Sequence, residues 1–185
     1  MKLRIALTLV VIAAPLALIA QAPAAAPALA VDTKNPVVWS ANEMYARQAK
    51  LIVAAAELMP ADKYSYKPTP EQLSFGRIIA HVAQSNTGLC AMLSGTPATP
   101  PKVAETDPKD TLIAALKASF DSCDKTFAAL QDSQLGDTIT FFRGAKVPRA
   151  RALIEITGDL EDHYSQMAGY LRLNGILPPS AQPKK

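Results

Sequence analysis

The sequence predicts an all-α protein, a four-helix bundle, and three observations carry that expectation. Its 15 prolines are placed so that four long stretches contain none, and proline is excluded from helix interiors because it lacks an N–H and clashes with the preceding turn. Each of those stretches repeats its apolar residues at steps of three and four, the period of one helix face. Strand signals are weak: only "DTITFFRG", residues 137–144, alternates enough for a short extended piece.

The first stretch, between Pro36 and Pro60, places Met44, Gln48, Leu51, Ala55 and Leu58 on one side. Trp39 and Tyr45, near its start, are expected to seal the end of the core. The second, between Pro70 and Pro97, aligns Phe75, Ile78, Ile79, Val82, Leu89 and Leu93. The third opens with Asp107 as N-cap and Pro108 at the first helical position. It continues through Ile113, Leu116, Phe120, Cys123, Phe127 and Leu130, the seam of a packed bundle. The fourth runs from about Pro148 to Asn174, with Leu153, Ile156, Leu160, Met167 and Leu171 inward and Gly175 as its stop. Four helices of this length build a bundle.

Ahead of the first stretch the chain reads "MKLR", then "IALTLVVIAAPLALIA", then small residues at Ala20 and Ala22. A basic start, an apolar run and a small-x-small site describe a secretory signal peptide over residues 1–22, with Ala28-Leu29-Ala30 as a later cleavage site. An uncleaved membrane anchor is the alternative, against which Pro15 and the modest length of the run argue, so no stable membrane insertion is expected after cleavage. Removing residues 1–22 takes away Lys2 and Arg4 and no acids, which leaves 17 basic against 16 acidic residues instead of 19 against 16. A chain so nearly neutral, without a basic patch interleaved with aromatics, is not expected to bind nucleic acid.

An exported, periplasmic or secreted chain can keep a disulfide, and Cys90 and Cys123 are the only cysteines. They are expected to pair, with two buried free thiols as the alternative. They are too few and too far apart for a zinc knuckle and show no CxxC redox arrangement. A Gly-rich phosphate loop and a nucleophile elbow are also absent.

Chemistry concentrates beside the core stripe of the fourth helix. Asp159, His163, Gln166 and Tyr170 fall on one flank of it, and Asp159 and His163, at i and i+4, can reach a single ion. The only other histidine, His81, sits on the flank of the second helix with Ser85 and Met92 nearby. Facing helices of a bundle commonly assemble metal sites from inward side chains. Two imidazoles and one carboxylate leave open positions for water or substrate and suit Zn²⁺, Ni²⁺ or Fe²⁺. The competing reading is a hydrogen-bonded polar edge, since Asp-x-x-x-His pairs are common on helices.

"SFGRIIAHVAQSN", residues 74–86, with "LSGTP" at 93–97, resembles the second helix of DinB-like proteins. "DLEDHYSQMAGYLRLNGILPPS", from residue 159, resembles their final helix, which typically reads His-x-x-x-His-x-Gly-Gln and ends in Leu-Arg-x-x-Gly-x-x-Pro. The resemblance spans roughly residues 37–180 and implies a DinB-like four-helix bundle over residues 31–180, followed by a disordered tail at 181–185. Proteins similar in fold include metal-dependent thiol transferases and hydrolases with a three-histidine site. Carried over by position, that site falls on His81, Asp159 and His163, with aspartate where the first histidine of the final motif stands. Gln166 falls on the motif's glutamine, and Ser165 replaces its glycine.

The resemblance therefore implies a divalent-metal site of two histidines and one aspartate at the bundle mouth, with Gln166 and Tyr170 as outer supports. It implies a metal-dependent hydrolase or transferase acting on a small-molecule substrate. A non-catalytic bundle serving as a binding or structural module in the cell envelope is the alternative. Related bundles often pair through helix faces, which makes a homodimer one assembly open to the chain, although the sequence does not fix the oligomeric state.

Overall fold

Each proline-free stretch holds a helix. In the computed structural model residues 31–183 are described, so the signal sequence, its cleavage sites and Lys184–Lys185 of the expected tail lie outside the described residues. The helices are α1 (Pro36–Leu58), α2 (Phe75–Ser94), α3 (Lys109–Ala129) and α4 (Arg149–Leu173). Helix α2 packs chiefly on α3 and α4, and α1 chiefly on α4, so α1 and α2 face each other diagonally across the core. Between α3 and α4 lies an antiparallel pair, β1 (Thr138–Thr140) and β2 (Lys146–Pro148), in which Ile139 opposes Val147. The expected extended piece thus forms at 138–140, while Phe142–Gly144 turns back as a 3-10 turn with Arg143 at φ 56°.

The stripes foreseen for α2, α3 and α4 are all buried. That of α1 is rotated: Met44 and Leu58 are exposed, and Tyr45, Ile52 and Ala56 take the core side beside Gln48 and Ala55. Apolar residues occupy nearly every face of this alanine-rich helix, so its period is ambiguous and the largest ring decides. The Tyr45 ring lies 4.7 Å from that of Phe127 and 5.9 Å from that of Phe120. It sits within the core instead of sealing an end, and the Asn86 amide donates to its hydroxyl at 3.3 Å. The start of α3 also differs. Pro108 occupies the cap position and Lys109 begins the helix, while the Asp107 carboxylate accepts from the Ala104 N–H in the preceding turn.

Other helix ends follow the sequence more closely. Ser74 caps α2, its Oγ accepting from the Arg77 N–H and donating to Glu105. Gly175 at φ 73° ends α4, with the Ile176 N–H returning to the Leu171 carbonyl, as a left-handed C′ residue allows. The first turn of α1 lacks an acid of its own; the Asp132 carboxylate, distant in sequence, accepts from the Val37 and Val38 N–H groups at 3.0 and 2.8 Å.

Cys90 and Cys123 are joined, as expected, in a disulfide that ties α2 to α3 with Cα atoms 5.5 Å apart. Where the 104–107 turn crosses the start of α2, Gly76 is required for space. A Cβ there would stand 2.8 Å from the Glu105 carbonyl oxygen and 3.3 Å from that of Tyr64. Gly76→Ala is therefore expected to cost about 1–3 kcal/mol, because backbone must move to admit the methyl. Urea unfolding showing a neutral or stabilising change would contradict this.

Candidate metal centre

Helix α2 carries His81 in its second turn, and Asp159 and His163 stand one turn apart on α4, the helix packed against it. The packing brings the three together: one donor atom from each lies within 4.8 Å of the others. His163 Nε2 is 3.4 Å from Asp159 Oδ1, and the His81 and His163 rings meet edge to face at 4.8 Å between centroids. Donors around a first-row ion with bonds of about 2.0–2.2 Å stand about 3.3 Å apart, so the His163–Asp159 pair is already at ligating separation. His163 is buried, whereas His81 and Asp159 are half-buried, so the cluster has a protein side and a solvent side.

Ser85, one turn beyond His81, donates its hydroxyl to Asp159 Oδ2 at 3.0 Å. This contact crosses from α2 to α4 and holds the carboxylate by the oxygen that His163 does not meet. Sequence reading noted Ser85 beside His81 but could not supply its partner, which depends on the register of two helices. Burial works to raise the Asp159 pKa, but contact with His163, the Ser85 hydroxyl and the charge of His81 outweigh it and hold the carboxyl below its ordinary 3.8. The His81 pKa is lowered from 6.5, first by burial and then by the neighbouring charges of His163 and Arg77. At neutral pH the cluster therefore offers a carboxylate and, at His81, a neutral imidazole, the protonation states that metals require.

His163 Nδ1 is buried and meets no hydrogen-bond partner. Two imidazoles and one carboxylate make the mixture of nitrogen and oxygen donors that borderline divalent ions prefer, with Nε2 as the His163 nitrogen that faces Asp159 and Nδ1 as the ring's other nitrogen. The residues present fit a divalent cation.

The two expected outer supports are engaged elsewhere. The Gln166 amide donates to Asp162 at 2.8 Å on the exposed side of α4. The Tyr170 hydroxyl donates to the Leu73 carbonyl at 2.9 Å, and its ring meets those of Tyr66 and Phe75. Tyr170 thereby ties α4 to the segment that leads into α2, whereas Gln166 stays on the surface of its own helix.

A family model described as the DinB superfamily matches residues 44–167. Among solved structures, a DinB-like protein from Bacillus subtilis superposes with a TM-score of 0.63 at 22% identity, covering 78% of this chain and 99% of that one. A DinB-like protein from Bacillus cereus gives 0.62 at 14% identity, covering 75% and 93%. A mycothiol-dependent maleylpyruvate isomerase gives 0.59 at 15% identity, covering 70% of this chain and 60% of that one. At these identities the likeness is one of fold. Among curated proteins none matches the chain in sequence.

Proposed function

The chain belongs to the DinB superfamily, and on that premise we propose that it is a metal-dependent hydrolase or transferase of a small-molecule substrate, holding one zinc, nickel or iron ion through His81, Asp159 and His163. The carrying observation is the convergence of those three side chains from α2 and α4. A divalent ion held there supplies Lewis acidity and an activated nucleophile at neutral pH. The protein's own residues orient and bias the site. Ser85 holds the carboxylate in one rotamer, the α2–α4 packing fixes the rings, and Arg77, whose charge is felt at His81, lies exposed one turn away where an anionic group can approach.

We place the protein outside the inner membrane. The leader-like residues 1–30 and the disulfide support export, and among the described residues no helix is long and apolar enough to cross a membrane. Transfer to low-molecular-weight cytoplasmic thiols is then disfavoured, and hydrolysis is the better reading. One observation favours the alternative of a non-catalytic envelope module: Asp159 already has Ser85 and His163 as partners, which suffices for a polar edge.

Elemental analysis separates the two. Protein exported during expression and purified without a metal-affinity tag should carry about one divalent ion per chain. No ion, even after incubation with zinc, nickel and iron, would leave the polar-edge reading. Ser85→Ala is expected to weaken metal affinity by about tenfold or more, as loss of a support to a ligand does. Competition with a coloured chelator measures this, and an unchanged affinity would remove Ser85 from the site.

A further inference from the structure

We infer that the protein carries a second binding site, for a compact oxyanion such as a small carboxylate or phosphate, in the cavity where the later turns of α2 and α3 meet the start of α4. This cavity of about 480 Å³ is lined by Thr96, Ser122, Lys125, Thr126, Gln134 and Arg149 among others, and no carboxylate reaches its wall. Its chemistry is that of a donor set, with two cations, five hydroxyls and an amide.

The two cations differ in kind. Arg149 is held in one orientation: Nη1 donates to the Leu93 carbonyl, Nη2 lies 3.5 Å from Asp137 Oδ2, and the side chain is 15% exposed. Its buried Nε has no partner. A clamped guanidinium with one N–H unmatched is costly to bury and is pre-organised for an oxygen acceptor. Lys125 is exposed and makes no ion pair among the described residues. It supplies a mobile charge that Asp137 does not balance, whereas Asp137 already offsets part of Arg149. Charge-assisted contacts from both, completed by the hydroxyls, suit a group with several oxygens.

This site is separate from the metal cluster. Arg149 precedes Asp159 by ten residues on α4, about 15 Å at 1.5 Å per residue. On α2 the cavity is reached at Thr87 and Cys90, beyond His81 and Ser85, and neither of those two lines it.

The test is a titration of the full-length mature protein with inorganic phosphate and with succinate, at constant ionic strength, following the Arg149 Nε–H resonance by ¹⁵N NMR. Saturable shifts are expected with at least one anion, at concentrations on the order of millimolar or below, and none with glycerol. Lys125→Gln, an exposed change that spares the core, should weaken binding about tenfold by removing one charge-assisted contact. His163→Ala should leave it unchanged. A response to phosphate alone or to succinate alone identifies the group recognised. No saturable shift with either anion overturns the inference. So does unchanged affinity in Lys125→Gln, and so does loss of binding in His163→Ala, which would put the anion at the metal cluster.

Discussion

Replacing His163 by alanine is expected to reduce bound divalent metal from about one ion per chain to less than about a tenth, because the fully buried-side ligand of a three-residue set is lost. Of the three, His163 is the residue in contact with both others: its Nε2 stands 3.4 Å from Asp159 and its ring 4.8 Å from that of His81. What remains is one imidazole and one carboxylate, a pair with no geometric advantage over an ordinary surface. Truncating a buried side chain also costs stability, so the folded state of the variant must be checked by circular dichroism before metal content is read. Asp159→His supplies the complementary arm. It replaces the carboxylate by a third imidazole, an equally competent ligand, and it is expected to keep the ion. Metal retained by His163→Ala and lost from Asp159→His would reverse the assignment of the ligands.

The second large effect concerns the covalent tie. Cys90→Ala with Cys123→Ala should destabilise the protein by about 3–4 kcal/mol, from the loop-closure entropy of a bridge spanning 33 residues. For a domain of this size that corresponds to a fall in Tm of roughly 10 °C. Both sulfurs lie in the core, and alanine also leaves some volume unfilled there, so the change adds to the entropic term. Guanidinium unfolding of the oxidised wild type and the double variant gives the difference. A loss under about 1 kcal/mol would mean that the unfolded chain is not much constrained by the bridge.

How far the sequence could be read depended on where large apolar residues stood alone. Helices α2 and α3 gather their leucines, isoleucines and phenylalanines on one side, and α4 does so apart from the exposed Ile154 and Leu173, so the stripes read from them were all buried. Helix α1 mixes alanine, valine, isoleucine and leucine around its circumference, and only the tertiary fit of Tyr45 against Phe120 and Phe127 selects its inward face. Strand β1 was visible in alternation, but its partner is Lys-Val-Pro, which has no strand signature and pairs because the chain doubles back at Phe142–Gly144. In the site, the i, i+4 spacing exposed Asp159 with His163 as a pair. Nothing local places His81 opposite them or gives Ser85 its bond to Asp159. Those follow from the relative sliding of α2 and α4, which only the packed core sets.

The division of the metal cluster between α2 and α4 has a consequence in time. A chain emerges from its N-terminus, so His81 exists before Asp159 and His163, which are on α4 and are made later. Until α4 docks there is one imidazole and no chelate; an ion can select only molecules whose final helix is in place. Binding the finished form and not the unfinished one stabilises it by about 2.7 kcal/mol at a hundredfold excess of ion over Kd. On the metal-binding reading proposed above, ion supply would set how long a completed molecule outlasts proteases that attack its opened state, and a chain cut short before α4 would gain no such protection.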